Sequence, residues 1–472
     1  MNRISIALDL GLTFGENYHK LGLIPFEVWQ LCMLMTIAPA DLGLLTDLYQ
    51  ITMSACYVGE GLDDRSASFE VFTRRLPKDF GYLIAMGLEQ ILSYLESLHL
   101  SLEQIKQLQE TGLFEHAPDR FWELLKTMQF KGSVWAVPEG TAVFANEPLL
   151  RIEAPLWQAQ WVETYVLNVL NYQTLVATRS ARMRDVAGDE AKLYEFGSRR
   201  AFSPQGAVWA ARAALAAGFD GTSNVLAAMQ LGRVPVGTMA HALVMAIGAG
   251  DGDEGEDRAF QAFHRYFPGA PLLIDTYDAI AAAKRLAACP PENLTGVRID
   301  SGDLGAQSRE IRALLPGVSI VASGDLDEYR IQELNNNHAC IDGFGIGTQL
   351  VTGTPVNGVY KLVEIGDIPV MKNAPGKRSY PGRKQIFRTL ENRTMNDRLG
   401  LASEDAKPGE TGLLVPVMQD GKRLGPLESL EMIAARTRRS VLALPLEVRS
   451  VFATGLEVEV SDELVALQAR CL

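Results

Sequence analysis

Six short apolar runs in the middle of the chain each end in residues able to do chemistry. Their ends read Glu195-Phe196-Gly197-Ser198-Arg199-Arg200, Gly237-Thr238-Met239-Ala240-His241, Asp275-Thr276-Tyr277-Asp278, Arg298-Ile299-Asp300-Ser301-Gly302-Asp303, Ser323-Gly324-Asp325 and Gly345-Ile346-Gly347-Thr348. His241 brings an imidazole, a competent nucleophile toward a phosphoryl group. A phosphohistidine there needs a partner to orient the ring, and Glu195 or Asp275 could serve. Asp275 and Asp300 end neighbouring runs. Paired carboxylates so placed can hold Mg²⁺ through water, or stabilise a cation that develops in a transition state.

Other stretches read as phosphate chemistry. Gly343-Phe344-Gly345-Ile346-Gly347-Thr348 follows an apolar run, and glycines let backbone N–H groups approach a phosphate. A basic stretch from Lys372 to Arg388 includes Lys377, Arg383 and Lys384, with glycine and proline among the charges. That mixture suits a loop around a polyphosphate. Arg74, in Arg74-Arg75 after the apolar run Phe69–Phe72, could join the same pocket.

These groups act together only if the chain brings them together. The runs are Lys192–Phe196, Pro235–Met239, Pro271–Asp275, Gly296–Asp300, Ser319–Ala322 and Gly343–Ile346. Helical periods fill 205–217, 239–247, 278–288, 304–315 and 326–336. Strands alternating with helices imply parallel pairing with helical crossovers. An open doubly wound sheet satisfies that pattern, but a (β/α) barrel better explains why every run ends in polar residues. In a barrel all strand C-termini converge on one face, where active sites lie. Helix capping accounts for Asp303 or Asp325 singly. It does not account for Arg199, Arg200, Arg298 and His241 at equivalent positions.

The flanking regions have a different texture. Residues 40–130 read as mostly helical around a strand at Ala67–Phe72, and 132–153 as short strands. Residues from 352 onward return to that texture, with a strand at Val359–Glu364. The expected division is 1–38, an extension given no function with Met33 or Met35 as alternative starts; 39–154 and 352–472, which pack together; and 155–351, the barrel. The acidic segment Asp251–Asp257 reads as a solvated connection.

Composition narrows the class. The chain has 472 residues, enough for more than one domain, and a net charge of -13. That balance argues against general nucleic-acid binding. It leaves room for anionic substrates, because a local cluster of Arg and Lys binds phosphate inside an acidic protein. Five scattered cysteines without metal spacing point to reduced thiols and a cytoplasmic protein. No apolar run reaches the ~18 residues of a membrane span.

Together, Leu45–Met53, Phe69–Pro77, Glu195–Arg200, Gly237–His241, Arg298–Leu304 and Gly343–Thr348 resemble the nicotinate phosphoribosyltransferases, in the family's order across roughly 42–450. The resemblance implies an α/β fold of the type II phosphoribosyltransferase kind: an irregular (β/α) barrel plus an α/β domain formed by both terminal regions. It implies a homodimer in which Tyr49 reaches the partner's active site. Phe196 and Arg199 would border the pyridine ring. Arg298 and Thr238 would recognise the nicotinate carboxylate. Gly345, Gly347 and Thr348 would hold the ribose 5-phosphate of phosphoribosyl pyrophosphate. Asp275 and Asp300 would serve the ribose and Mg²⁺, and ATP would phosphorylate His241.

Rival readings differ in the residues they require. Nicotinamide phosphoribosyltransferases share the fold, and their pattern places an acidic residue after the Gly-Thr; Met239 and Ala242 supply none. A quinolinate enzyme needs more cations for a dicarboxylate and no ATP-linked histidine. A silent nucleotide-binding barrel would lack the histidine or the aspartate pair.

Overall fold

The computed structural model describes residues 37–374, 379–391 and 394–472. Residues 1–36 of the expected extension, and Lys377 of the basic stretch, lie outside the described residues.

Five of the six runs form strands: Lys192–Glu195, Leu272–Leu273, Gly296–Ile299, Ser319–Ala322 and Gly343–Ile346. With Gly221–Thr222 they make a six-stranded sheet in which every pairing is parallel. Its order in space is 221–222, 192–195, 343–346, 319–322, 296–299, 272–273. Leu193, Val297, Ile299, Ile320, Ala322, Phe344 and Ile346 are buried in it. Such continuous apolar strands are what a parallel sheet covered by helices requires. Because all the strands run one way, their polar C-terminal ends share one edge.

The run Pro235–Met239 is not a strand. Pro235 has no N–H to give a ladder, and Gly237 weakens one further. The segment instead crosses between the sheet's two margins. The Val236 N–H donates to the Thr222 carbonyl at 2.9 Å, and an Arg298 Nη2–H donates to the Met239 carbonyl at 3.1 Å. Among the described residues the two edge strands do not pair with each other, so no closed hydrogen-bonded barrel forms.

The helices Pro204–Ala216, His241–Ile247, Ala279–Ala288, Leu304–Leu314 and Glu328–Asn336 lie where their periods placed them. Asp303 caps its helix by accepting from Ala306 N–H, so capping explains that residue. The acidic segment expected to be a solvated connection opens a helix instead, Gly252–Tyr266. Glu256 within it is fully buried, because Arg285 reaches it from the Ala279–Ala288 helix. A 25-residue helix, Glu163–Ala187, joins the parallel sheet to the rest of the molecule.

The second large sheet takes strands from both ends of the chain. Val359–Ile365 pairs with Ser66–Phe72, and Val415–Gln419 pairs with Ser133–Ala136, both antiparallel. Phe69 stacks on Tyr360 across that seam with ring centroids 4.8 Å apart. Burying a side chain of that size contributes about 1.5–3 kcal/mol.

Candidate active site

The polar edge of the parallel sheet brings several of the expected site residues into contact with one another or with shared neighbours. Asp275 and Asp300 are neighbours: the Asp300 N–H and the Ser301 hydroxyl donate to Asp275 Oδ2 at 2.7 and 2.8 Å. Asp300 Oδ1 accepts from the Ser323 hydroxyl at 2.5 Å, which ties the third strand end to the pair. Asp275 Oδ1 is buried and has no partner among the described residues. A buried carboxylate oxygen left unpaired is costly unless a ligand uses it.

Arg298 rises from the same edge and is half-buried. Burial pushes its guanidinium below the ordinary range; Asp300 and Asp275 pull it back up, and Arg199 pushes it down again. Asp300, Asp275 and Arg199 therefore all act on the Arg298 charge. Arg298 Nε is buried without a partner among the described residues. Since Arg298 also binds the Met239 carbonyl, it anchors the segment bearing Thr238 and His241.

His241 opens its helix and is half-buried. Its Nδ1 lies 3.2 Å from Thr276 Oγ1. The ring partner is therefore Thr276, not Glu195 or Asp275. The sequence offered a signal for Thr276, which directly follows Asp275.

Glu195 is corrected more strongly. It is completely buried, and both oxygens are taken: Oε2 by the Thr222 hydroxyl at 2.5 Å, Oε1 by the Gly197 N–H. Burial raises its carboxyl above the ordinary range, against the lowering effect of those two bonds. It holds the turn that presents Phe196, with both oxygens committed to internal donors. Phe196 lies against the glycine string. An added Cβ on Gly345 would come 2.5 Å from the Phe196 ring. Gly345 is thus a seat for that ring inside a buried strand. Gly347 and Thr348 lie beyond the strand end, half-buried and accessible.

The basic stretch is committed elsewhere. Lys384 is only 2% exposed. Its ammonium pairs with Glu70 at 2.8 Å and donates to the carbonyls of Tyr380 and Gly382. Arg383 lies between Glu364 at 2.9 Å and Glu153 at 3.5 Å. Lys384 is not a free phosphate ligand, because a desolvated cation needs its internal carboxylate, whereas Arg383 stays exposed beside its two carboxylates. Arg74 keeps a buried, unpartnered Nε. Its charge, with that of Lys372, depresses Lys361, whose ammonium is lowered chiefly by burial. Lys361 escaped the sequence reading because it sits singly within an apolar strand. Tyr49 is exposed on the Leu48–Gly59 helix. Partial burial first, then Glu163, raise its hydroxyl above the ordinary value.

Among the described residues no group of three or more His, Cys, Asp or Glu side chains could hold a metal ion. The Asp275–Asp300 pair fits Mg²⁺ nonetheless, since that ion keeps its waters and takes one or two carboxylates beside substrate phosphates. No helix of the described residues is long and apolar enough to cross a membrane.

Comparison with known proteins agrees with this arrangement. Residues 44–171 match the nicotinate phosphoribosyltransferase N-terminal domain, and residues 191–398 the nicotinate phosphoribosyltransferase family. Nicotinate phosphoribosyltransferase pncB2 of Mycobacterium tuberculosis is 40% identical over 447 residues, 91% of this chain and 93% of that protein. The nicotinate phosphoribosyltransferase of Bacillus subtilis is 41% identical over 375 residues, covering 74% of each. The crystal structure of human nicotinic acid phosphoribosyltransferase aligns with a TM-score of 0.78 at 29% identity, over 90% of this chain and 100% of that one. With two family models covering residues 44–171 and 191–398, and a relative 40% identical matched over 93% of its length, the chain belongs to the nicotinate phosphoribosyltransferase family.

Proposed function

We propose that this chain makes nicotinate mononucleotide from nicotinate and 5-phosphoribosyl 1-pyrophosphate, and couples the step to ATP hydrolysis through a phosphorylated His241. The observation that carries the reading is the meeting of Arg298, the Thr238–His241 segment and the Asp275–Asp300 pair at one sheet edge.

The chemistry follows from those groups. Arg298 and Thr238 receive the nicotinate carboxylate, for which a guanidinium offers paired donors. Phe196 and Arg199 border the ring. The pyridine nitrogen attacks the anomeric carbon, the C–O bond to pyrophosphate breaks, and positive charge builds on the ribosyl centre. Asp275 and Asp300 stabilise that charge. Gly347 and Thr348 hold the 5-phosphate. Mg²⁺, when bound, neutralises charge on the leaving pyrophosphate. With Thr276 on Nδ1, Nε2 of His241 is left to take the phosphoryl group from ATP.

The wider architecture belongs to the same proposal. The parallel sheet is the strand set of an irregular barrel of the type II phosphoribosyltransferase kind, its gap spanned by Val236–Met239. The regions 39–154 and 352–472 form the accompanying α/β domain, around the barrel region 155–351. The protein works in the cytoplasm as a homodimer. Exposed Leu45, Leu48 and Tyr49 on one part of the surface, and Val225, Leu226 and Met229 on another, are apolar groups that a partner would cover. Tyr49 and the Arg74, Lys361 and Lys372 cations would then face the partner's site.

Purified protein with phosphoribosyl pyrophosphate, Mg²⁺ and ATP, offered nicotinate, nicotinamide or quinolinate separately, tests the proposal. Mononucleotide should form from nicotinate; product from nicotinamide or quinolinate alone would overturn it.

A further inference from the structure

We propose that Arg285 is a positioning residue for His241: from a neighbouring helix it clamps the far end of the helical hairpin whose near end carries the histidine. The proposal rests on the reading of His241 as the group phosphorylated by ATP.

The argument is a closed circuit of contacts. His241 is the first residue of the His241–Ile247 helix, and its ring meets Thr276. That helix turns directly into Gly252–Tyr266. The two helices touch backbone to backbone, for a Cβ on Gly255 would fall 2.4 Å from the Gly248 Cα. Arg258 of the second helix also donates to the Ile247 carbonyl at 3.2 Å, where the first helix ends. The hairpin therefore moves as one piece.

Arg285 fastens that piece to the helix Ala279–Ala288. Its guanidinium spans three carboxylates of the second helix: Glu256 at 2.5 Å, Asp257 at 3.0 Å and Asp253 at 3.4 Å. Glu256 is fully buried; its Oε2 takes the Arg285 contact, and its Oε1 has no partner among the described residues. The Ala279–Ala288 helix is itself pinned by its cap, since Asp278 Oδ1 accepts from the N–H groups of Ile280 and Ala281 at 2.9 Å. Thr276 stands two residues before that cap. The path from His241 through the hairpin, Arg285 and the capped helix thus returns to Thr276 and the histidine ring.

The hairpin's near end is also held by Arg298 through the Met239 carbonyl and by core packing of Leu243, Val244, Ile247, Ala259, Phe260 and Phe263, whereas among the described residues Arg285 is the cation that pairs with Asp253, Glu256 and Asp257. Val244, Ala259 and Phe260 are buried beneath it, but Met245, Tyr266 and Phe267 stand in solvent. Without Arg285 three carboxylates, one of them desolvated, repel each other with no counter-charge. The clamp then opens at its far end, and the His241–Thr276 contact is the part that must absorb the movement. Misplacement by about 1 Å can cost a reacting group about 10²-fold in rate. Lys can replace Arg here only in part, because an ammonium keeps the charge but is a point charge that lacks the planar fork.

The test uses full-length R285A, R285K and G255A beside wild type and H241N. Three quantities are followed: acid-labile phosphoenzyme formed from labelled ATP, mononucleotide formation with and without ATP, and the KM for nicotinate. R285A should lose about tenfold or more of the phosphoenzyme and of the ATP-stimulated rate. Its ATP-free transfer and nicotinate KM should stay within about twofold of wild type, since neither passes through the hairpin. R285K should fall between the two. G255A, which pries the helices apart without changing a charge, should repeat the pattern if R285A does not fold. Wild-type phosphoenzyme in R285A, or an equal loss of ATP-free transfer, would overturn the inference. If H241N labels like wild type, the reading of His241 fails and the inference with it; if H241N is unlabelled while R285A labels fully, the inference alone fails.

Discussion

The backbone N–H of Asp300 donates to Asp275 Oδ2 at 2.7 Å, so one strand end supplies a ligand that orients the carboxylate of the next. This leaves Oδ1 buried with no partner among the described residues. Replacing Asp275 with Asn keeps an oxygen for the Asp300 and Ser301 donors and removes only the charge. The kcat of D275N should fall about 10²–10³-fold, the usual loss when one preorganised electrostatic contact to a transition state is removed. Steady-state rates, with circular dichroism to verify the fold, check this; a change under threefold would refute the role.

Gly345 makes room for Phe196. A methyl group there meets the ring at 2.5 Å. In G345A the ring must shift, with an overpacking cost of about 1–3 kcal/mol. The KM for nicotinate should rise several-fold while that for phosphoribosyl pyrophosphate changes little. Equal effects on both would assign Gly345 to phosphate binding after all.

Lys384 and Glu70 join the basic stretch to the Ser66–Phe72 strand in a fully buried ion pair. Removing one partner strands the other. K384M should lower stability by about 3–5 kcal/mol. The double variant E70Q/K384M should recover much of it, since neither charge is then stranded. Chemical denaturation of the single and double variants measures this, and an undiminished K384M would show that the pair contributes nothing.

Glu147 gives the pH dependence. It is fully buried beside Asp397, and burial followed by that carboxylate raises its own well above the ordinary range; Arg388 acts in the opposite direction. A carboxyl whose value is raised on folding favours the native state while protonated. That contribution is complete below the unfolded value of about 4.3 and is lost as pH climbs toward the folded one. E147Q stays neutral at every pH. Its melting temperature should therefore exceed that of wild type at pH 8, with the gap closing toward pH 4. Parallel curves would mean that Glu147 is ionised in the native protein.

The strand ends were legible because an apolar run that stops at Arg, Asp or His has few structural reasons to do so. Asp275, Asp300 and Arg298 do meet at one edge. What escaped the sequence was the identity of distant partners. Nothing near Lys384 announces that Glu70, 314 positions away, will neutralise it. Nothing in Asp251–Asp257 announces Arg285. Glu195 lies at a strand end like its neighbours, yet its side chain turns inward to Thr222 and Gly197, a choice of direction that residue type does not encode. Pro235 and Gly237 carry a warning against a regular strand, which the apolar Val234, Val236 and Met239 around them mask.

The seam between Ser66–Phe72 and Val359–Ile365 has a consequence for the nascent chain. On a ribosome moving at about 5–20 residues per second, roughly 200 residues separate the end of Pro148–Pro155 from the arrival of Val359, a delay of about 10–40 s. Throughout that interval the Ser66–Phe72 edge waits without its neighbour, sticky toward other emerging chains. A strain short of chaperones, or a codon change that slows translation of the middle of the message, should raise the insoluble fraction of this protein while leaving the activity of the soluble fraction intact.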